Sequence, residues 1–357
     1  MKKKFHKKDY ILVGLAIGLL LSMWMIESFK EKEKDLFYKE KIAASRLMKK
    51  SIEAIKEEKI KRGYTINQDF DKNKTGIIGF EISGITTTLG SLESKRTSSN
   101  PNFAAVIIEM LKRAKVNKGD YVAINCSSSF PALNIAVLSA VEVLGIHPVV
   151  ISSIGSSTWG ANTPEFTYMD MEELLYNKGI LKNKSIAISL GGAKDIGQDM
   201  DQQIVSKIVK RAQEYNRLLI DDENLHRNIQ RRYHLYLENS PKIKLFINVG
   251  GNMVSMGKNT DMIDLEPGLT EKKQVKIDEN SGLMQLFLSK NIPVIHLLNI
   301  KKLAVAYGLP VDPQPLPQIG EGEVYFRQKY PKQMVLFVLA MMGIITFIYG
   351  KKVKYDE

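Results

Sequence analysis

An α/β fold built on a mostly parallel sheet is what this chain of 357 residues predicts, and three observations carry the expectation. Tyr121-Val-Ala-Ile-Asn125 and His147-Pro-Val-Val-Ile151 are short apolar runs separated by one helix-length segment, the order of a right-handed strand–helix–strand crossover. An apolar strand followed by Gly-Gly then occurs twice, as Ser185–Leu190 before Gly191-Gly192 and Leu245–Val249 before Gly250-Gly251. Finally, 44% hydrophobic and 25% charged residues suffice for sizeable cores and exclude a disordered chain. The expected class is therefore Rossmann-like, a mostly parallel sheet flanked by helices, set between N- and C-terminal transmembrane helices.

The elements follow in order. Residues 1–26 form a basic tail and a first span, Ile11 to Ile26, uncharged and preceded by Lys2, Lys3, Lys4, Lys7 and Lys8. No small-x-small site follows, so an uncleaved anchor is expected rather than a signal peptide. Residues 27–75 read as a charged helical stalk, with Ala44, Met48, Ile52 and Ile55 recurring at helical spacing. The α/β body spans 76–309. It opens with an expected strand at Ile77–Ile82 and a Thr- and Ser-rich loop up to Pro101. A helix follows over about 102–115, and then the crossover unit, whose helix starts at Pro131 and stops at Gly145. Further helices are expected near 171–177, 201–215 and 299–307, with a last strand at Pro293–Leu297. Pro310, Pro313, Pro315 and Pro317 mark an extended linker over 310–333, and 334–357 form a second span closed by Lys351, Lys352 and Lys354. Two spans place both termini on one side. The unmixed N-terminal lysines make that side cytoplasmic and the body extracytoplasmic.

The formal charge of +12 raises nucleic acid as a partner, but the excess belongs mainly to the segments flanking the spans and the body is nearly neutral. A lipid bilayer is the expected partner, and nucleic acid is not. The single cysteine, Cys126, excludes an internal disulfide and any cysteine-based zinc site, and its place at a buried strand end fits an apolar filler. No H-E-x-x-H or carboxylate cluster points to a metal. Neither Gly-Gly stretch is G-x-G-x-x-G and no phosphate-loop motif is present, so no cofactor is indicated.

Ligands in parallel α/β sheets collect beyond the carboxyl ends of the strands. That rule selects Ser127, Ser128 and Ser129 after the first strand, and Ser152, Ser153, Gly155, Ser156 and Ser157 after the second. It also selects Gly191, Gly192 and Asp195, with Gly250 and Gly251, after the later strands. Thr86, Thr87 and Thr88 with Lys95 and Arg96 add hydroxyls and a bidentate cation suited to a carboxylate or phosphate. Each group has a plainer reading as helix cap or surface loop. A serine hydrolase or transferase acting on an amide or acyl bond is an alternative, although spacing selects no triad and the G-x-S-x-G elbow is absent. His296, near a strand exit, is a better base candidate than His147 at a strand start, and Asp195 and Asp199 supply the acid type. A phosphosugar- or nucleotide-binding body of Rossmann type is a second alternative.

Four ordered runs carry a resemblance: Thr75-Gly-Ile-Ile-Gly79, Ile85–Thr97, Ser129-Phe-Pro-Ala-Leu-Asn134 and Ser152–Asn162. Together they resemble the membrane protein family called the poly-gamma-glutamate system protein, over nearly the whole chain. The resemblance implies an accessory role in making, exporting or anchoring poly-gamma-glutamate, a capsule-type extracellular polyanion. Its implied partners are the polymer or its precursor and other membrane proteins of that system. It implies no catalytic residue.

Overall fold

The computed structural model describes residues 7–258, 262 and 265–355. The N-terminal lysines at 2, 3 and 4 lie outside them. The chain divides into two compact units: one runs to Leu36 and resumes at Phe326, and the other is Phe37–Tyr325.

The first unit begins with α1 (Lys7–Ser28) and β1 (Glu31–Lys34). The second opens with α2 (Tyr38–Lys61), followed by β2 (Thr86–Thr88), α3 (Leu92–Ser98) and α4 (Phe103–Arg113). The crossover is β3 (Tyr121–Ser127), α5 (Pro131–Leu144) and β4 (His147–Ser153), with the short β5 (Ser156–Ser157) after it. Pro131 sits in the first turn of α5, where an amide hydrogen is not needed, and Gly145 ends the helix in the left-handed conformation at φ 64°.

Then come α6 (Tyr168–Asn177), β6 (Ala187–Ser189), α7 (Gln202–Glu214), β7 (Leu218–Ile220) and α8 (Leu225–Glu238). Asp201 caps α7 by accepting the amides of Gln203 and Ile204. The unit closes with β8 (Ile243–Val249), α9 (Met253–Met256), β9 (Gly268–Thr270), α10 (Leu283–Ser289), β10 (Val294–Leu297) and α11 (Ile300–Ala306). The chain returns to the first unit as β11 (Phe326–Lys329) and α12 (Lys332–Tyr355).

A seven-stranded sheet of order β7-β6-β4-β3-β8-β10-β9 centres the second unit, and β9 is its one antiparallel member. This is a mixed α/β architecture with a mostly parallel sheet flanked by helices, as expected. Connections from β3 step towards β7 through β4 and β6, whereas β8 and β10 lie on the other side of β3. The direction of winding therefore reverses between β3 and β8, the place where such sheets open a crevice beyond their carboxyl ends. Phe246 stacks on Phe287 with ring centroids 4.5 Å apart, joining β8 to α10 within the core.

Several local expectations differ from the structure. Ile77–Ile82 is not a strand; the strand of that region is β2, which pairs in parallel with β5. The Thr- and Ser-rich loop also contains α3, started by Ser91, whose hydroxyl accepts the Ser94 amide. The apolar stripe expected on a stalk is present in α2, but Ala44, Met48, Ile52 and Ile55 are buried, and α2 packs on α4 and α5 within the sheet's own unit. Residues 310–325 belong to that unit as well. Asp312 pairs with Arg96, the Pro313 carbonyl accepts from Asn73 Nδ2 at 2.8 Å, and Tyr325 donates to Asn102 Oδ1 at 2.6 Å.

In the first unit β1 pairs antiparallel with β11, and Glu33 meets Arg327 at 3.1 Å across the ladder. Among the described residues one helix, Lys332–Tyr349, is long and apolar enough to cross a membrane, and α1 contributes the shorter apolar stretch Leu12–Ser28.

Candidate functional site

The strand ends predicted to face a ligand do converge. A cavity of about 480 Å³ opens at the carboxyl ends of β3, β4, β6, β8 and β10. Register explains its polar floor. Ser127 of β3 pairs with Ser153 of β4, which pairs with Ser189 of β6, so three hydroxyls share one face in one row. Just below, Asn125 of β3, Asn248 of β8 and His296 of β10 form a second polar row.

Thirteen of the residues singled out from sequence line this cavity: Thr87, Thr88, Lys95, Ser127, Ser129, Ser153, Gly155, Ser157, Gly191, Gly192, Asp195, Asp199 and Gly251. The others do not, for identifiable reasons. Arg96 is spent on Asp312, with Nε donating to Oδ1 at 2.6 Å and Nη2 to Oδ2, so it is no ligand clamp. Thr86 accepts from the Ser83 amide at 2.9 Å and from Asn162 Nδ2 at 3.0 Å. Ser128 donates to the Ser153 carbonyl, and Ser156 donates to the Ser128 carbonyl at 3.1 Å. Ser152 is fully buried with its Oγ 2.9 Å from Ser185 Oγ, whose hydroxyl donates to Glu172. Gly250 has φ +88°, and a Cβ there would meet the Ser127 Cβ at 3.0 Å, so it serves close packing of β8 on β3.

Lys95 sets the electrostatics. It projects from α3 and is 2% exposed. Its ammonium donates to the Ser129 carbonyl and to Ser157 Oγ at 2.7 Å, and it lies 3.8 Å from the centroid of the Phe130 ring. No carboxylate among the described residues forms an ion pair with it. Burial without a compensating charge pulls its pKa down to about 7. The opposite wall carries Asn252, whose Oδ1 accepts from Asn125 Nδ2 and from the Ser255 amide, both at 3.0 Å. Those two bonds orient the amide and leave its buried Nδ2 without a partner, a donor awaiting an acceptor.

Asp195 lines the cavity but is not a free acid. It accepts from Arg232 Nη2 at 2.6 Å, from Ser189 at 2.8 Å and from Asn228 at 3.1 Å. Arg232, fully buried, also donates to Asn125 Oδ1 and Asn228 Oδ1, each at 3.0 Å. This network ties α8 to β3, β6 and the turn after Gly191-Gly192, fixing the cavity floor from beneath. Asp199, also on the lining, accepts the Ala193 amide at 3.0 Å.

Sequence reasoning missed Arg232, Asn252, Met253 and Leu298. For Arg232 a signal existed: Asn228 and Arg232 share a helical face with Ile229, Leu235 and Tyr236, so polar residues interrupt an apolar stripe. His296 is not on the lining. It is buried with Nδ1 3.0 Å from Asn248 Nδ2, and burial draws its pKa down to about 4, so it is no base for this cavity. Cys126 is fully buried and burial pushes its thiol upward, which suits a filler. Among the described residues no group of three His, Cys, Asp or Glu side chains is placed to hold a metal ion.

Comparison with protein-family models, curated proteins and solved structures returns no match to this chain. The cavity is accordingly read from its own chemistry.

Proposed function

We propose that this chain is a membrane-anchored accessory component of poly-gamma-glutamate synthesis or export, and that its body binds a carboxylate-bearing ligand, a polymer end or precursor, in the strand-end cavity. One observation carries the binding half of the proposal: a buried ammonium, Lys95, faces the cavity with no carboxylate paired to it among the described residues. An incoming carboxylate supplies the missing counter-charge and holds Lys95 protonated, while the hydroxyls of Ser127 and Ser153 and the Asn252 Nδ2 give it further donors. The pathway half rests on the sequence resemblance, whose runs at Ile85–Thr97, Ser129–Asn134 and Ser152–Asn162 supply several of the lining residues.

In this reading α12 anchors the chain, α1 is a second span, both termini are cytoplasmic and the body lies outside. Protease added to intact cells then digests the body; digestion only after permeabilisation refutes that orientation.

Binding is tested by calorimetry on the full chain in detergent with a short γ-linked glutamate oligomer. A hydrogen bond to a charged group contributes about 1.5–3 kcal/mol, so Lys95→Met weakens binding by roughly 10- to 150-fold. Affinity rises as pH falls through about 7, because the charged form of Lys95 does the binding. Unchanged affinity in Lys95→Met refutes the site. A sugar phosphate bound in preference to the oligomer supports the phosphosugar reading instead.

A further inference from the structure

Within the cavity just read as a glutamyl-ligand site, and resting on that reading, we propose that Ser157 and Lys95 form a nucleophile and general-base pair that transfers the acyl group of an amide or ester. The carboxylate complex is then the product state of this reaction.

The geometry favours a reactive pair over an ordinary polar contact. Lys95 Nζ and Ser157 Oγ are 2.7 Å apart and both residues line the cavity. The amine is held in place by the Ser129 carbonyl, which takes one N–H, and by the Phe130 ring beneath it. Ser157 is held in turn, because its own amide donates to Ser129 Oγ at 3.0 Å. A buried ammonium has three donors to satisfy, whereas a neutral amine has two and one lone pair. With one N–H kept on the Ser129 carbonyl, loss of a proton from the ammonium leaves a lone pair 2.7 Å from Ser157 Oγ, placed to accept the hydroxyl proton as a general base must.

The charged groups around Lys95 leave that form undisturbed. On its own helix Glu93 pairs with Lys301 of α11 at 2.6 Å, and Arg96 pairs with Asp312. Across the cavity Asp195 pairs with Arg232, and Asp199 accepts the Ala193 amide. None of them hydrogen-bonds to Lys95. With its pKa drawn down to about 7 by burial, the amine is substantially neutral just above neutral pH.

The steps balance without any further reagent. Ser157 Oγ attacks the carbonyl carbon and its proton passes to Lys95 Nζ. The tetrahedral adduct collapses by breaking the C–N or C–O bond, and the Lys95 ammonium protonates the leaving group. An ester on Ser157 remains. Water or an acceptor amine attacks it, giving its proton to Lys95, and Ser157 leaves as it recovers that proton. With water the product is a carboxylic acid, which gives its proton to the neutral Lys95 amine and remains as a carboxylate beside the resulting ammonium.

The test uses the full chain in detergent with an alkyl fluorophosphonate, which phosphonylates a nucleophilic serine with loss of fluoride. Mass spectrometry is expected to place the adduct on Ser157, with a labelling rate that rises between about pH 6 and pH 8.5. Lys95→Met slows it about 100-fold or more, the usual range for losing a general base, and Ser157→Ala abolishes it. Should either variant melt early, adduct mapping and the pH profile of the unaltered chain decide the matter. No adduct on Ser157, a rate independent of pH, or an undiminished rate in a folded Lys95→Met variant overturns the proposal. Glutamate-oligomer binding at about pH 6 is measured on the same preparation, and the two charge states of Lys95 give the two readings opposite pH trends. Oligomer binding without Ser157 labelling overturns the acyl-transfer pair and leaves the binding site standing. Labelling without oligomer binding supports the pair and removes the glutamyl substrate.

Discussion

Arg232→Met is the substitution whose effect the structure defines most closely. Arg232 is fully buried and gives hydrogen bonds to Asp195, Ser189, Asn125 and Asn228. Methionine fills much of the volume but leaves Asp195, 4% exposed, as a charge without its cation. Breaking one side of a buried pair costs about 3–5 kcal/mol. Against a typical domain stability of about 5–15 kcal/mol that is a large loss. At roughly 2 °C per kcal/mol for a domain of this size, the melting temperature falls by about 6–10 °C. Urea titration of the full chain in detergent, followed by circular dichroism at neutral pH, measures the free-energy loss, and a thermal scan the temperature shift. Adding Asp195→Asn removes the stranded charge, and its side chain tolerates the left-handed conformation found there at φ 67°. The double variant is therefore expected to recover about half the loss or more, a coupling that a double-mutant cycle reads directly. A single-variant cost below about 1 kcal/mol, or strictly additive effects, refutes the view that this pair holds the cavity floor.

Three further outcomes follow from the packing and the buried charges. His296 has its pKa drawn from 6.5 down to about 4, so the folded chain binds this proton less readily than the unfolded one. Stability is full above about pH 6.5 and falls by roughly 3 kcal/mol as pH drops towards 4; His296→Asn should flatten that part of a urea-midpoint profile. Phe246→Ala removes a fully buried ring stacked on Phe287 and should cost about 3–5 kcal/mol by denaturant titration. Gly160→Ala brings a Cβ to 2.3 Å from Ser156 Oγ and 2.8 Å from the Ser129 carbonyl. Overpacking there should cost about 1–3 kcal/mol, and the displaced carbonyl should weaken oligomer binding even in protein that remains folded.

The legible part of the molecule is the part governed by local rules. The segment from Tyr121 to Ser153 folds as read because every signal in it agrees: β-branched runs, proline in the first helical turn and glycine just past the last. The strand-end rule then located the cavity, since Ser127, Ser153, Gly191 and Gly251 must converge once their strands are parallel neighbours. Pairings between distant residues were not legible. Arg96 and Lys95 are adjacent with the same formal charge, yet one meets Asp312, 216 residues further on, and the other meets no acid among the described residues. Nothing in the intervening sequence distinguishes them. The prolines beyond Leu309 mark a segment that is neither helix nor strand as far as Gly322, but whether such chain hangs free or lies on a body depends on partners such as Asn73 and Asn102. The stripe on α2 was likewise visible while the surface it covers was not.

The pairing of β1 with β11 joins Glu31 to Lys329 and so spans almost the whole chain. Formed from an open coil, such a loop of roughly 300 residues would cost about 5 kcal/mol in chain entropy, more than a four-residue ladder with exposed ion pairs returns. The Phe37–Tyr325 unit removes most of that cost, because folding brings its own ends together, with the rings of Tyr38 and Tyr325 6.1 Å apart. The β1–β11 ladder is thus expected to form late: β1 leaves the ribosome long before its partner exists, and closure of the intervening unit is what makes the pairing favourable.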